Sequence, residues 1–164
     1  MIAYLDIMSS DSIVQWLENS FVAHAMGASV WAYPVVETLH MAAIVLLVGT
    51  AAVFDFRLLG WRLTRMPVAE LAHQLRPWVR AGIVGILVTG PLLFLSDPDR
   101  YATNFYFRLK MTFLLLTILF DLLVARRLRA PGNTAGTAAR RFAGGFSLLL
   151  WAGVVSCGRA IGVF

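Results

Sequence analysis

Apolar and polar positions along this chain fall into long blocks. Four apolar blocks, about 34–56, 78–95, 105–125 and 142–163, reach the length of about 20 residues that an α-helix needs to cross a bilayer. Pro34 suits a first helical position, and the Gly90-Pro91 pair predicts a kink that frees a backbone carbonyl in the second block. Gly158 and Gly162 form a small-xxx-small pair in the fourth, a face suited to close helix packing. Ahead of these blocks, residues 10–25 follow a helical period. Ser9, Ser10 and Asp11 offer N-caps, Ile13, Trp16, Leu17, Phe21 and His24 share one face, and Gln15, Glu18 and Asn19 take the other. This segment is too polar to span and predicts an amphipathic helix, laid either on lipid or on the end of the bundle. The expected fold is all-α: a four-transmembrane-helix bundle over residues 31–164, preceded by an amphipathic interfacial segment over 1–30, with no internal repeat.

Composition agrees. Hydrophobic residues make up 59% and charged residues 14%, against about 45–50% and about 25% in soluble domains. The net charge of +5 does not mark a nucleic-acid binder, because the arginines lie between apolar blocks. Arg57, Arg62, Arg65, Arg76 and Arg80 flank the first connection, and Arg126, Arg127, Arg129, Arg140 and Arg141 the third. The N-terminal segment carries Asp6, Asp11 and Glu18 without a basic residue, unlike a secretory signal. Positive-inside logic then places both arginine connections in the cytoplasm and both termini outside. Trp31, Tyr33, Tyr101 and Tyr106 fall at the outer interface, Trp61 and Trp78 at the inner one. A single cysteine, Cys157, leaves no intrachain disulfide or multi-cysteine metal site.

Ionisable groups inside apolar blocks are costly and so informative. Glu37 and His40 stand one turn apart in the first block, Lys110 enters the third shortly after Arg108, and Arg159 closes the fourth. At about 1.5 Å per residue, antiparallel spans bring Glu37, His40, Lys110 and Arg159 to similar depth. Two readings compete for this outer-side polar cluster. In one, Glu37 pairs with Arg159 or Lys110 and clamps the helices. In the other, the group binds an anion, a quinone or a cofactor, or moves protons through His40. A second group, Asp55, Arg57, Arg80, Asp121 and Arg126, gathers at the cytoplasmic end. Ion pairing and snorkelling account for it.

A b-type heme held by two axial side chains is one candidate cofactor. His73 lies in a cytoplasmic connection, and His24 reaches His40 only if the N-terminal helix folds back over the bundle. Met26, Met41 and Met111 are alternative second ligands, and a copper site lacks a local His/Met pattern. No nucleophile elbow, phosphate loop, zinc-protease or dinucleotide motif is present. Asp97-Pro98-Asp99-Arg100-Tyr101 reads as a capped turn and not as a calcium loop.

These motifs together resemble a bacterial family, domain of unknown function 6644. The resemblance rests on Trp31-Ala-Tyr-Pro-Val-Val-Glu37-Thr-Leu-His40, Gly49-Thr, and Asp55-Phe-Arg57-Leu-Leu-Gly60. It continues through Pro77-Trp78, Thr89-Gly90, Leu93-Phe94, Phe107-Arg-Leu-Lys110, Ser147-Leu-Leu-Leu-Trp151 and Gly158-Arg159. It implies an integral membrane protein of bacteria and brings no activity with it. Three functions remain open: a small inner-membrane subunit of a periplasmic redox system, binding quinone, heme or metal near Glu37 and His40; a non-catalytic partner held together by its buried charges; and a small oligomeric transporter. None requires the chain to be an enzyme by itself. The partners expected are the lipid bilayer, other membrane or periplasmic redox proteins, and further copies of the chain.

Overall fold

The computed structural model describes residues 19–61, 65–129 and 135–162, and every regular element among them is helical. Helix α1 covers Phe21–Ala28, with Ser20 accepting a hydrogen bond from the Ala23 amide as its N-cap. The greater part of the amphipathic segment expected over residues 10–25 lies outside the described residues. Helix α2 runs Ala32–Leu59, α3 Val68–Ser96, and α4 Pro98–Thr103 behind an Asp97 cap. Helix α5 covers Phe105–Phe120 and passes into a π-helical turn, Asp121–Ala125, and then into α6, Arg126–Arg129. Helix α7 spans Thr137–Ile161.

Helices α2, α3 and α7 are long and apolar enough to cross a membrane. The third apolar block is different: its α-helix is 16 residues long and widens into the π turn where Asp121 enters. Helix α3 starts at Val68, ahead of the expected Trp78. Glu70 suits its first turn, and Leu71 and Ala72 are buried in a hydrophobic core. It then continues through Pro77 and Gly90-Pro91 to Ser96. Threonine hydroxyls along α2, α3 and α5 turn back to carbonyls four residues earlier: Thr38 to Pro34, Thr50 to Leu46, Thr89 to Gly85, Thr112 to Arg108 and Thr117 to Phe113. Such back-bonding satisfies a hydroxyl where water is scarce. Many large apolar side chains point outward, among them Leu39, Val45, Leu87, Leu115, Leu123 and Leu149. That surface is compatible with a membrane protein.

The chain divides into two compact units, one formed by residues up to Ile44 with Ile83–Asn104, the other by Val45–Gly82 with Phe105–Phe164. In the first, α2 and α3 approach closely at Gly85, where an added Cβ would come within 2.7 Å of the Ala43 Cβ. In the second, Phe54, Leu58, Leu71, Ala72, Leu128 and Ala143 form a buried core. Helix α7 there packs antiparallel to α5. Gly158 lies against Lys110, Gly153 against Phe113, and the Phe146 ring meets Phe120 edge-on with centroids 5.1 Å apart. Gly144 sits on the Asp55 carbonyl and Leu58 of α2. Of the small-residue pair in α7, only Gly158 faces another helix; Gly162 is the C-cap.

Candidate functional site

His40 lies on the inward face of α2 and is 6% exposed. Its Nδ1 is 2.7 Å from the hydroxyl of Thr89 on α3. The Thr89 hydroxyl in turn donates to the Gly85 carbonyl at 2.6 Å. A threonine hydroxyl has one proton, so with that proton on Gly85 it can only accept from His40. This assigns the proton to Nδ1 and makes Nε2 the acceptor of the neutral ring. The close helix approach at Gly85 permits the bond, and Gly90 leaves ordinary van der Waals room, 3.6 Å, between an added Cβ and the His40 Cε1.

Two further polar groups share this stripe of α2. Glu37, three residues before His40, and Tyr33, four residues earlier again, occupy helical neighbour positions. Glu37 is exposed. The Tyr33 hydroxyl lies 3.1 Å from the hydroxyl of Tyr101 on α4, whose ring leans on Phe94 at a centroid distance of 6.3 Å. Burial raises the Tyr101 phenol above its ordinary value, with the Tyr33 hydrogen bond and the Glu37 charge adding to the rise and Arg100 opposing it. The first unit thus carries a polar column, Tyr33/Tyr101, Glu37, then His40/Thr89, about 10 Å long on the rise of α2. A ring acceptor and a carboxylate one turn apart can accept and relay protons or hydrogen-bond a carbonyl-bearing or hydroxyl-bearing ligand.

The remaining residues of the expected cluster belong to the second unit. Lys110 of α5 is half-buried against Gly158, and Arg159, the next residue of α7, is exposed. At the other end of that unit Asp55 is 3% exposed, the Arg57 Nε donates to the Met66 carbonyl at 2.8 Å, and Asp121 is half-buried at the start of the π turn. Arg80 and Arg126 are exposed. His24 and His73 are also exposed, so His40 is the one buried imidazole among the described residues. Those residues contain no group of three or more His, Cys, Asp or Glu side chains placed to hold a metal ion.

Sequence reasoning singled out Glu37 and His40; their neighbours Thr89, Gly85 and the tyrosine pair come from the structure alone. Tyr33 and Tyr101 read only as interfacial aromatics, because nothing in the sequence joins two residues 68 positions apart. Thr89 stood beside the Gly90-Pro91 pair, which drew attention to backbone and not to the hydroxyl.

Residues 13–164 match a family described as "Family of unknown function (DUF6644)", and the chain belongs to that family. No curated protein and no solved structure matches it.

Proposed function

We propose that this member of the family is a four-span protein of the bacterial inner membrane, a small subunit of a periplasmic redox system that binds a quinone at His40. The observation that carries the reading is the Thr89–Gly85 relay, which holds the buried imidazole through Nδ1 and, in the neutral ring, gives Nε2 acceptor character. A quinol hydroxyl donating to Nε2 would find a base already oriented. On two-electron oxidation to the quinone, one hydroxyl proton passes to the ring, with Glu37 one turn nearer the N-terminal end of α2 as the next carrier. The other hydroxyl proton passes to water at the outer face, and both electrons pass to a redox protein there. A single buried imidazole favours a hydrogen-bonded ligand over a bis-histidine heme.

The four-span topology is supported by the helical run from Phe105 to Arg129. At about 1.5 Å per residue it exceeds the roughly 30 Å hydrocarbon core even with a π turn inside it. Four spans with arginine connections inside put both termini, and the polar column, on the periplasmic side.

A second reading has an observation of its own. The His40–Thr89 bond joins α2 to α3 beside a glycine contact, so the same atoms can serve as a packing clamp in a non-catalytic membrane partner. Quinone extracted from protein purified in mild detergent separates the two. The redox reading expects bound quinone in the wild type and a fall of roughly tenfold in His40→Phe, the effect of one lost hydrogen bond. Equal quinone in both proteins, with only the melting temperature lowered in the variant, would leave the clamp as the sole role.

A further inference from the structure

The side-chain carboxylates of the second unit, Asp55, Glu70 and Asp121, gather at one end of α7 with most of its arginines, whereas Lys110 and Arg159 stand at the other. Asp55 presents its carbonyl to Gly144, Asp121 follows Phe120, which meets Phe146, and Glu70 precedes Leu71 and Ala72 in the core shared with Ala143. All three therefore stand near the 143–146 level of α7. Lys110 and Arg159 stand at the 158–159 level, about 20 Å away at the rise of an α-helix. At that separation the carboxylates do little to neutralise the two cations.

The arrangement of Lys110 is specific. Its stem lies across Gly158, with Cε, Cδ and Nζ 3.7 to 3.8 Å from where a Cβ would stand. A helical side chain leans toward the N-terminus of its helix, so the ammonium is carried toward the end of the unit where Arg159 occupies the last turn of α7. An ammonium packed on Gly158 and a guanidinium borne by the next residue of α7 suit a multiply bonded oxyanion. We propose that Lys110 and Arg159 form a binding site for a phosphate group at this end of the second unit. Two sources supply that chemistry, the headgroup of an anionic phospholipid and free inorganic phosphate. The site is independent of quinone binding at His40.

Thermal unfolding of the full chain in a mild zwitterionic detergent tests it, with sodium phosphate and a short-chain phosphatidylglycerol as separate probes at constant ionic strength. The wild type should gain roughly 4–8 °C at saturating probe. Lys110→Met and Arg159→Gln should each lose most of that gain, and Lys110→Arg should keep it. A response to phosphatidylglycerol alone identifies the lipid headgroup as the ligand; a response to both probes extends the site to free phosphate. The proposal is overturned if neither probe shifts the wild type, or if the gain survives both charge-removing variants. It is equally overturned if Glu37→Gln restores a destabilised Lys110→Met protein to wild-type stability, since the ammonium would then belong to the carboxylate pairing expected from the sequence.

Discussion

Single residues decide the chemistry of the polar column. Thr89→Val keeps the shape and removes the acceptor for Nδ1, leaving a buried donor unsatisfied at a cost of about 1–3 kcal/mol. The tautomer should become mixed, which nitrogen chemical shifts of labelled histidine would report; an unchanged Nδ1–H tautomer would count against the assigned relay. Tyr101 gives a pH dependence of known sign. Its phenol holds the proton more tightly in the folded chain than the unfolded one, because burial and Tyr33 disfavour the phenolate. That contribution is complete below about pH 10, the unfolded value, and is lost as pH rises beyond it. Tyr101→Phe should therefore flatten the alkaline fall in melting temperature and remove a tyrosine that ionises above its ordinary range in an ultraviolet titration. Glu37 and His40 were legible from sequence because charge in an apolar block is costly. Thr89 was not, since a threonine that back-bonds to its own helix disturbs no apolar pattern.

At the scale of elements, glycines set how closely helices pack. Gly85→Ala would force a Cβ to 2.7 Å from the Ala43 Cβ, and Gly144→Ala to 2.8 Å from the Asp55 carbonyl oxygen. Each should cost about 1–3 kcal/mol through helix displacement, and Gly85→Ala should also weaken the His40–Thr89 bond. Gly49 has nothing within 4 Å of its Cβ position, so Gly49→Ala should be neutral or stabilise by up to about 1 kcal/mol through helix propensity. Melting temperatures of the three variants in one detergent check the contrast. The apolar blocks announced the long helices well, but not which glycines face a neighbour: the small-residue motif pointed to Gly158 and Gly162, and the tightest approaches fall elsewhere. The third block looked like its neighbours in hydropathy. Its π turn begins at Asp121, and no local signal distinguished that residue from an ordinary helical acid.

For the whole molecule, charge and hydropathy set the frame, and the proposed function rests on the polar column. Reporter fusions at the C-terminus and in the 130–136 connection should report opposite sides of the membrane, the connection cytoplasmic and the C-terminus periplasmic, if the run from Phe105 to Arg129 spans. The same side for both would remove the fourth span. The long apolar helices were readable because apolar blocks of bilayer length are rare by chance. The redox reading already starts in the sequence at Glu37 and His40, but the pairings His40–Thr89 and Tyr33–Tyr101 that support the proposal arise only when α2, α3 and α4 pack together. The most direct test of the account is the quinone content of the purified protein, wild type beside His40→Phe, measured by extraction and reduced-minus-oxidised ultraviolet difference spectra. The account predicts bound quinone in the wild type and a loss of roughly tenfold in the variant. A wild-type protein from quinone-replete membranes that carries none, and takes up none when quinone is added, would contradict it.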